Sequence, residues 1–171
     1  MDERTSLQLE VIHDIQQTLD GAGVRWWLFG GWGLDARIGR VTRVHSDIEF
    51  WVAQTDGNST RDALVASGFT ALDTQPPEEA REFTHHDVIL SSAFFDPCPD
   101  HTFRPRGRWS DWVFPAGSFD GSPGRLGDLV VPAMSVDGML AMKEQYPLLR
   151  NGRPIREKDV RDVALLRQLL N

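Results

Sequence analysis

Apolar positions recur at helical spacing through residues 5 to 20, where Leu7, Val11, Ile12, Ile15 and Leu19 fall on one face. Thr5 and Ser6 are candidate N-caps, and Gly21 and Gly23 end the run, which predicts an amphipathic first helix. Val24 to Phe29 is short, apolar and aromatic between glycines and reads as a buried strand. Trp32 to Ile38 then predicts a short helix closed by Gly39. From Ser46 to Val52 the pattern alternates, with Asp47, Glu49 and Trp51 on one face and Ile48, Phe50 and Val52 on the other. Ser59 to Ser67 reads as a second short helix ending at Gly68, Phe69 to Leu72 as a third strand, and residues 74 to 80, with Pro76-Pro77, as a loop.

Glu82 to Phe95 is the next strand. Its alternation puts His85, Asp87, Ile89 and Ser91 on one face and His86, Val88 and Leu90 on the other. The prolines, glycines and scattered aromatics of residues 96 to 123 predict irregular short strands and loops, with Trp109 to Phe114 as one strand. Ser135 caps a helix running to about Tyr146, Pro147 and Gly152 interrupt, and Arg156 to Leu170 forms a last helix with Val160, Val163, Ala164 and Leu170 inward. Strands mixed with short helices, followed by two closing helices, predict an α/β (α+β) class. We expect one domain over 1–171, with a sheet-containing core at 1–132 and a helical part at 133–171.

Composition narrows the classes. The chain has 171 residues, 40% hydrophobic and 25% charged, close to globular averages and long enough to bury a core. No run approaches the ~18 apolar residues of a membrane span, and the charged start MDERTSLQLE is unlike a secretory signal, so a cytoplasmic protein is expected. A single cysteine, Cys98, excludes an internal disulfide and a multi-thiolate metal site. A net charge of −7 makes nucleic acid an unlikely partner and suits a cationic small substrate.

The chemistry concentrates in residues 29 to 52. Asp47 and Glu49, two apart on a strand, point the same way with Cβ atoms roughly 6.5–7 Å apart, so their oxygens can reach one hard cation such as Mg²⁺. Gly30-Gly31 offers backbone N–H groups without Cβ atoms at a helix start, which suits phosphates. The spacing fits neither the dinucleotide fingerprint nor the Walker A loop. Gly30-Gly31-Trp32-Gly33, Asp35, Gly39-Arg40, Arg43, His45 and Ser46-Asp47-Ile48-Glu49 resemble the signature of the small aminoglycoside and lincosamide nucleotidyltransferases of the polymerase-beta-type superfamily. Tyr146, Arg150, Lys158-Asp159 and Asp162 are similar to that family's late segment.

The resemblance implies a nucleotidyltransferase-type mixed sheet flanked by helices. It implies Mg²⁺ held by Asp47 and Glu49, and a nucleoside triphosphate, ATP first, bound near Gly30, Gly31, Arg40, Arg43 and His45; Lys143, on a late helix, reads as a further triphosphate ligand or a solvated lysine. A nucleotidyl group would pass to a hydroxyl of a small acceptor such as an aminoglycoside or lincosamide, and a second copy completing the cleft as a homodimer is compatible with this size. Two departures stand out. The family's second acid is Asp, and here it is Glu49; its third acid, on a later strand, falls at Ser91. We assign the third catalytic acid to Asp87 on Ser91's face, about 13 Å along the strand, with His85 and Asp96 as other candidates. Ser91 also motivates a second reading, a nucleotide- or partner-binding fold without chemistry, and a third in which the acceptor is RNA or protein. Trp26, Trp27 and Trp32 read as core or as a stacking platform; Lys158 as a triphosphate ligand or a solvated lysine; Trp109, Trp112 and Phe114 as an acceptor pocket. His85 and His86 cannot share an ion on a continuous strand unless a bulge intervenes.

Overall fold

The computed structural model describes residues 2–149 and 154–171. Helix α1 (Glu3–Gly21) starts ahead of its expected cap, because Asp2 accepts from the Thr5 backbone N–H at 3.0 Å and from its hydroxyl at 2.6 Å. The chain continues through β1 (Trp26–Leu28), α2 (Gly30–Ile38), β2 (Ile48–Ala53) and α3 (Gly57–Ala66). Gly39 closes α2 in the left-handed region at φ 87°, as its position after the apolar run predicts. Then come β3 (Thr70–Leu72), β4 (Ala80–His85), β5 (Val88–Pro97) and β6 (Phe103–Pro105), a small pair β7 (Gly124–Leu126) and β8 (Leu129–Val131), and helices α4 (Val136–Leu149) and α5 (Glu157–Leu169).

The main sheet is mixed, in the order β1-β2-β5-β4-β3, with β6 beside the end of β5. β2 and β5 run parallel, and the other neighbours are antiparallel. One face buries Ile48, Phe50, Leu90 and Phe94 in a core shared with Val11, Ile12 and Ile15 of α1 and Leu64 of α3. The other carries Trp51 and Phe95 into a second core with Phe114, Met139 and Met142 and Leu166 of α5. Each such fully buried side chain contributes about 1.5–3 kcal/mol. Trp26, Trp27 and Trp32 are all buried, so they are core and not a platform. The mixed α/β class and the closing helices are those expected.

The single strand expected over 82–95 is a hairpin instead. His86 and Asp87 both adopt positive φ, 49° and 62°, which is the conformation a two-residue hairpin loop requires. His85 pairs with Val88 across it. Asp87 therefore leaves the face of Ser91 altogether. The strand expected over 109–114 is also absent: Gly107–Trp109 is a 3-10 turn, and Phe114 makes one bridge to Phe103.

α4 begins at the Ser135 cap, whose hydroxyl accepts from Gly138 N–H at 3.1 Å, and runs through Pro147 to Leu149 without the expected break. The side chain of Tyr146, and Arg150 and Gly152, lie outside the described residues. α5 turns a different face inward: Asp159, Asp162 and Leu166 are buried, while Val160 and Leu170 are about half exposed. The buried ammonium of Lys143 on α4 draws the two acids inside. No helix among the described residues is long and apolar enough to cross a membrane.

Candidate active site

A pocket of about 380 Å³ opens between the second face of the sheet and the closing helices. It lies within the size range of small-molecule sites. Its floor is one row across three strands. Glu49 on β2 pairs with Ser91 on β5, and Ser91 pairs with Glu82 on β4, so all three side chains leave the same face. Asp47 stands just ahead of β2 and accepts from Ser46 Oγ at 2.6 Å.

The glycines earn their place through what lies against them. Gly30 is held at φ 62°, and a Cβ there would run into the carboxylate of Glu49. A Cβ at Gly31 would enter the ring of His45 and lie 3.0 Å from Arg43 Nη2. The bare backbone thus makes room for protein side chains as well as for phosphates. Both glycines lie in the first turn of α2, which has no side-chain cap, and both line the pocket with the acid pair.

The loop from Gly39 to Ser46 is fixed by Asp35, fully buried on α2. Its carboxylate accepts from Thr42 N–H at 3.1 Å, from Thr42 Oγ1 at 2.5 Å and from His45 Nε2 at 2.6 Å. Arg43 Nη1 lies 2.9 Å from His45 Nδ1 and has only protons to offer, so the ring proton sits on Nε2. Arg43 Nη2 then lies 3.6 Å from Asp162. Lys143 Nζ donates to Asp162 Oδ2 at 2.8 Å and to Asp159 Oδ1 at 2.6 Å, and Arg156 donates to Asp159 as well. A continuous polar chain therefore joins the glycine helix to the last helix.

Electrostatically the pocket is divided. Burial, and next the negative charge of Asp47, push the Glu49 carboxyl up to about 6, against the pull of Lys143, Lys158 and Arg156. Burial alone would raise Asp159, but its bonds from Arg156 and Lys143 outweigh that and hold it below its ordinary value. Two carboxylates crowded at the floor form an all-oxygen donor set with excess negative charge, which fits a divalent hard cation. On the far side, Glu79 is buried and held by Arg108, whose Nε donates at 2.6 Å. Glu82 accepts from Thr74 Oγ1.

Of the residues expected from the sequence, Gly30, Gly31, Arg43, His45, Asp47, Glu49, Lys143, Lys158, Ser91, Trp109 and Trp112 all line this pocket. Lys143 does so while committed to two buried acids. Asp87 is not there: it sits exposed in the β4–β5 turn, beside Glu3, Arg4 and Leu7 of α1. Arg40 is exposed outside the pocket, Phe114 is core, and Asp96 is paired with Arg106 at 2.9 Å. Glu79, Glu82, Arg108 and Arg156 are pocket residues that sequence reasoning missed. The available signal was length, since a fourteen-residue run is long for a strand and a hairpin within it would have brought Glu82 back beside Ser91.

The sequence model of the aminoglycoside-2''-adenylyltransferase family matches residues 11–166. A 2''-aminoglycoside nucleotidyltransferase of Klebsiella pneumoniae and one of Escherichia coli are each 48% identical over 42 residues, 25% of this chain. That match spans only 24% of the length of those relatives. Among solved structures, ANT(2")-Ia in complex with adenylyl-2"-tobramycin superposes with a TM-score of 0.77 at 20% identity, covering 96% of this chain and 90% of its own. The lincomycin-bound lincosamide adenylyltransferase LnuA gives 0.65 at 20% identity, covering 99% and 98%. At these identities the two structures establish the fold.

Proposed function

The chain belongs to the aminoglycoside-2''-adenylyltransferase family, and we propose that it transfers a nucleotidyl group, adenylyl from ATP, to a hydroxyl of an aminoglycoside-type cationic small molecule. One observation carries this reading: the Asp47–Glu49 pair, the first turn of α2 and the cationic side chains of Lys143, Arg156 and Lys158 line a single pocket. Asp47 and Glu49 would hold Mg²⁺, which offsets triphosphate charge and polarises the α-phosphorus.

The residues of the chain do the rest. Backbone N–H groups at Gly30 and Gly31 and the guanidinium of Arg43 bind phosphate oxygens, and Lys158 adds positive charge from α5. Trp109 and Trp112 wall the acceptor side and exclude water. The acceptor's hydroxyl oxygen bonds to the α-phosphorus as the α–β bridging bond breaks, and pyrophosphate leaves. Ser91 cannot take the hydroxyl proton at neutral pH. Glu82 can: it is one strand further along the same row, about 10 Å from Glu49 by strand spacing, which leaves space for a hydroxyl above Ser91. Glu82 also gives the acceptor side a carboxylate suited to an ammonium group, Glu79 being paired with Arg108. A nucleoside triphosphate donor supports a cytoplasmic location.

Ser91 favours one other reading, a fold that binds nucleotide without turnover. Incubation with Mg²⁺, each nucleoside triphosphate and a panel of aminoglycosides and lincosamides separates the two. Expected are an acceptor heavier by one nucleotidyl group, stoichiometric pyrophosphate, and loss of about a thousandfold or more of the rate in Asp47→Asn. Tight binding of ATP and Mg²⁺ with no product from any acceptor would establish the binding fold instead.

A further inference from the structure

Outside the pocket, Asp14 of α1 meets the end of β4 and the turn that follows it. The ligand atoms of Asp14, His85 and His86 all lie within 4.8 Å of one another. The positive φ of His86 and Asp87 creates this: by leaving the strand, His86 brings its ring back over His85, with centroids 4.1 Å apart. His85 is oriented from behind by stacking on Phe69, centroids 3.9 Å and planes 14° apart. The separation between His85 Nε2 and Asp14 Oδ2 is 3.4 Å. That is long for an N–H···O bond. It matches the edge of a tetrahedron around Zn²⁺, about 3.3 Å for bonds of roughly 2.0–2.1 Å.

The geometry points to a zinc site at Asp14, His85 and His86, distinct from the acid pair and tying α1 to the β4–β5 hairpin. Two imidazoles and one carboxylate are a donor set that Zn²⁺ takes, with water completing the tetrahedron. Among the described residues, neither ring has a side-chain hydrogen-bond or ion-pair partner besides Asp14, so ligand atoms need not be freed from elsewhere. His86 and Asp14 are accessible enough for an ion to enter from solvent. The site takes no part in nucleotidyl transfer and does not depend on that activity.

Calorimetric titration of the full chain with zinc chloride tests it, in an Asp47→Asn, Glu49→Gln background that removes the other carboxylate site. One ion per chain is expected, with a rise in melting temperature, because the ion binds only the folded arrangement. His86→Ala and Asp14→Asn, each at a solvent-accessible position, should weaken binding by at least about tenfold and abolish the thermal shift. Substitution of Co²⁺ should give the intense visible bands of four-coordinate cobalt. Zinc binding that survives both substitutions, or no binding at millimolar zinc, would overturn the assignment.

Discussion

Glu49 sits at the floor of the pocket with its carboxyl pushed up to about 6, so the folded protein holds a proton there that the unfolded chain has already released. For an acid whose folded value is raised above its ordinary 4.5, stability is lost as pH rises through the window from 4.5 to about 6 and stays lost above it. Glu49→Gln should therefore stabilise the protein by about 1–2 kcal/mol near neutral pH and by nothing near pH ~4, read as denaturant midpoints at both values. Equal effects at the two pH values would contradict a carboxyl raised by burial and by the neighbouring Asp47. Gly31 makes a different statement. Because its φ is not positive, Gly31→Ala tests packing, against the His45 ring first and Arg43 next, and displacing that ring should cost about 1–3 kcal/mol and loosen the 39–46 loop. An unchanged denaturant midpoint would mean that the ring yields freely. Both residues were legible in the sequence, since alternation fixes the shared face of Asp47 and Glu49 and the glycine pair follows an apolar run. Glu82 was not, because its position depends on a turn at His86-Asp87 that lacks the Asn-Gly or Asp-Gly signal of such loops.

At the scale of elements, the closing helices are held to the rest by charge as much as by apolar contact. Lys143 is buried between Asp159 and Asp162, and Arg43 reaches Asp162 from the loop before β2. Lys143→Met would leave two buried acids with Arg156 and Arg43 as their remaining ion-pair partners among the described residues. We expect a loss of about 3 kcal/mol or more, with α5 showing the largest increase in hydrogen exchange. Uniform exchange across the chain would show that α5 is not a separately held element. Acid should loosen the same contact, since the depressed carboxyl of Asp159 contributes stability that is present above its ordinary value and lost as pH falls below it. Periodicity could not foresee this face of α5. Hydrophobic spacing nominated Val160 and Leu170, whereas the ion pairs turn Asp159 and Asp162 inward. A pattern that counts every charge as solvent-facing misses a buried lysine's partners.

Across the whole molecule, the sheet brings together segments far apart in the chain: the glycine helix and acid pair from residues 30 to 49, the Glu82–Ser91 hairpin, and the cations of residues 143 to 158. A net charge of −7 disfavours long polyanions, while six Lys and Arg side chains line the pocket beside five Asp and Glu. The mixed α/β class was readable from the alternation of element types. The strand order was not, because the parallel pairing of β2 with β5 depends on a crossover through α3, β3 and β4. We propose that in the row Glu49–Ser91–Glu82 the acid missing at Ser91 is made good by Glu82 from the neighbouring strand. The turnover number of Glu82→Gln with an accepted substrate tests it most directly. A fall of about a hundredfold or more relative to the unaltered chain, with nucleotide affinity unchanged, is predicted. A turnover number equal to that of the unaltered chain would contradict it.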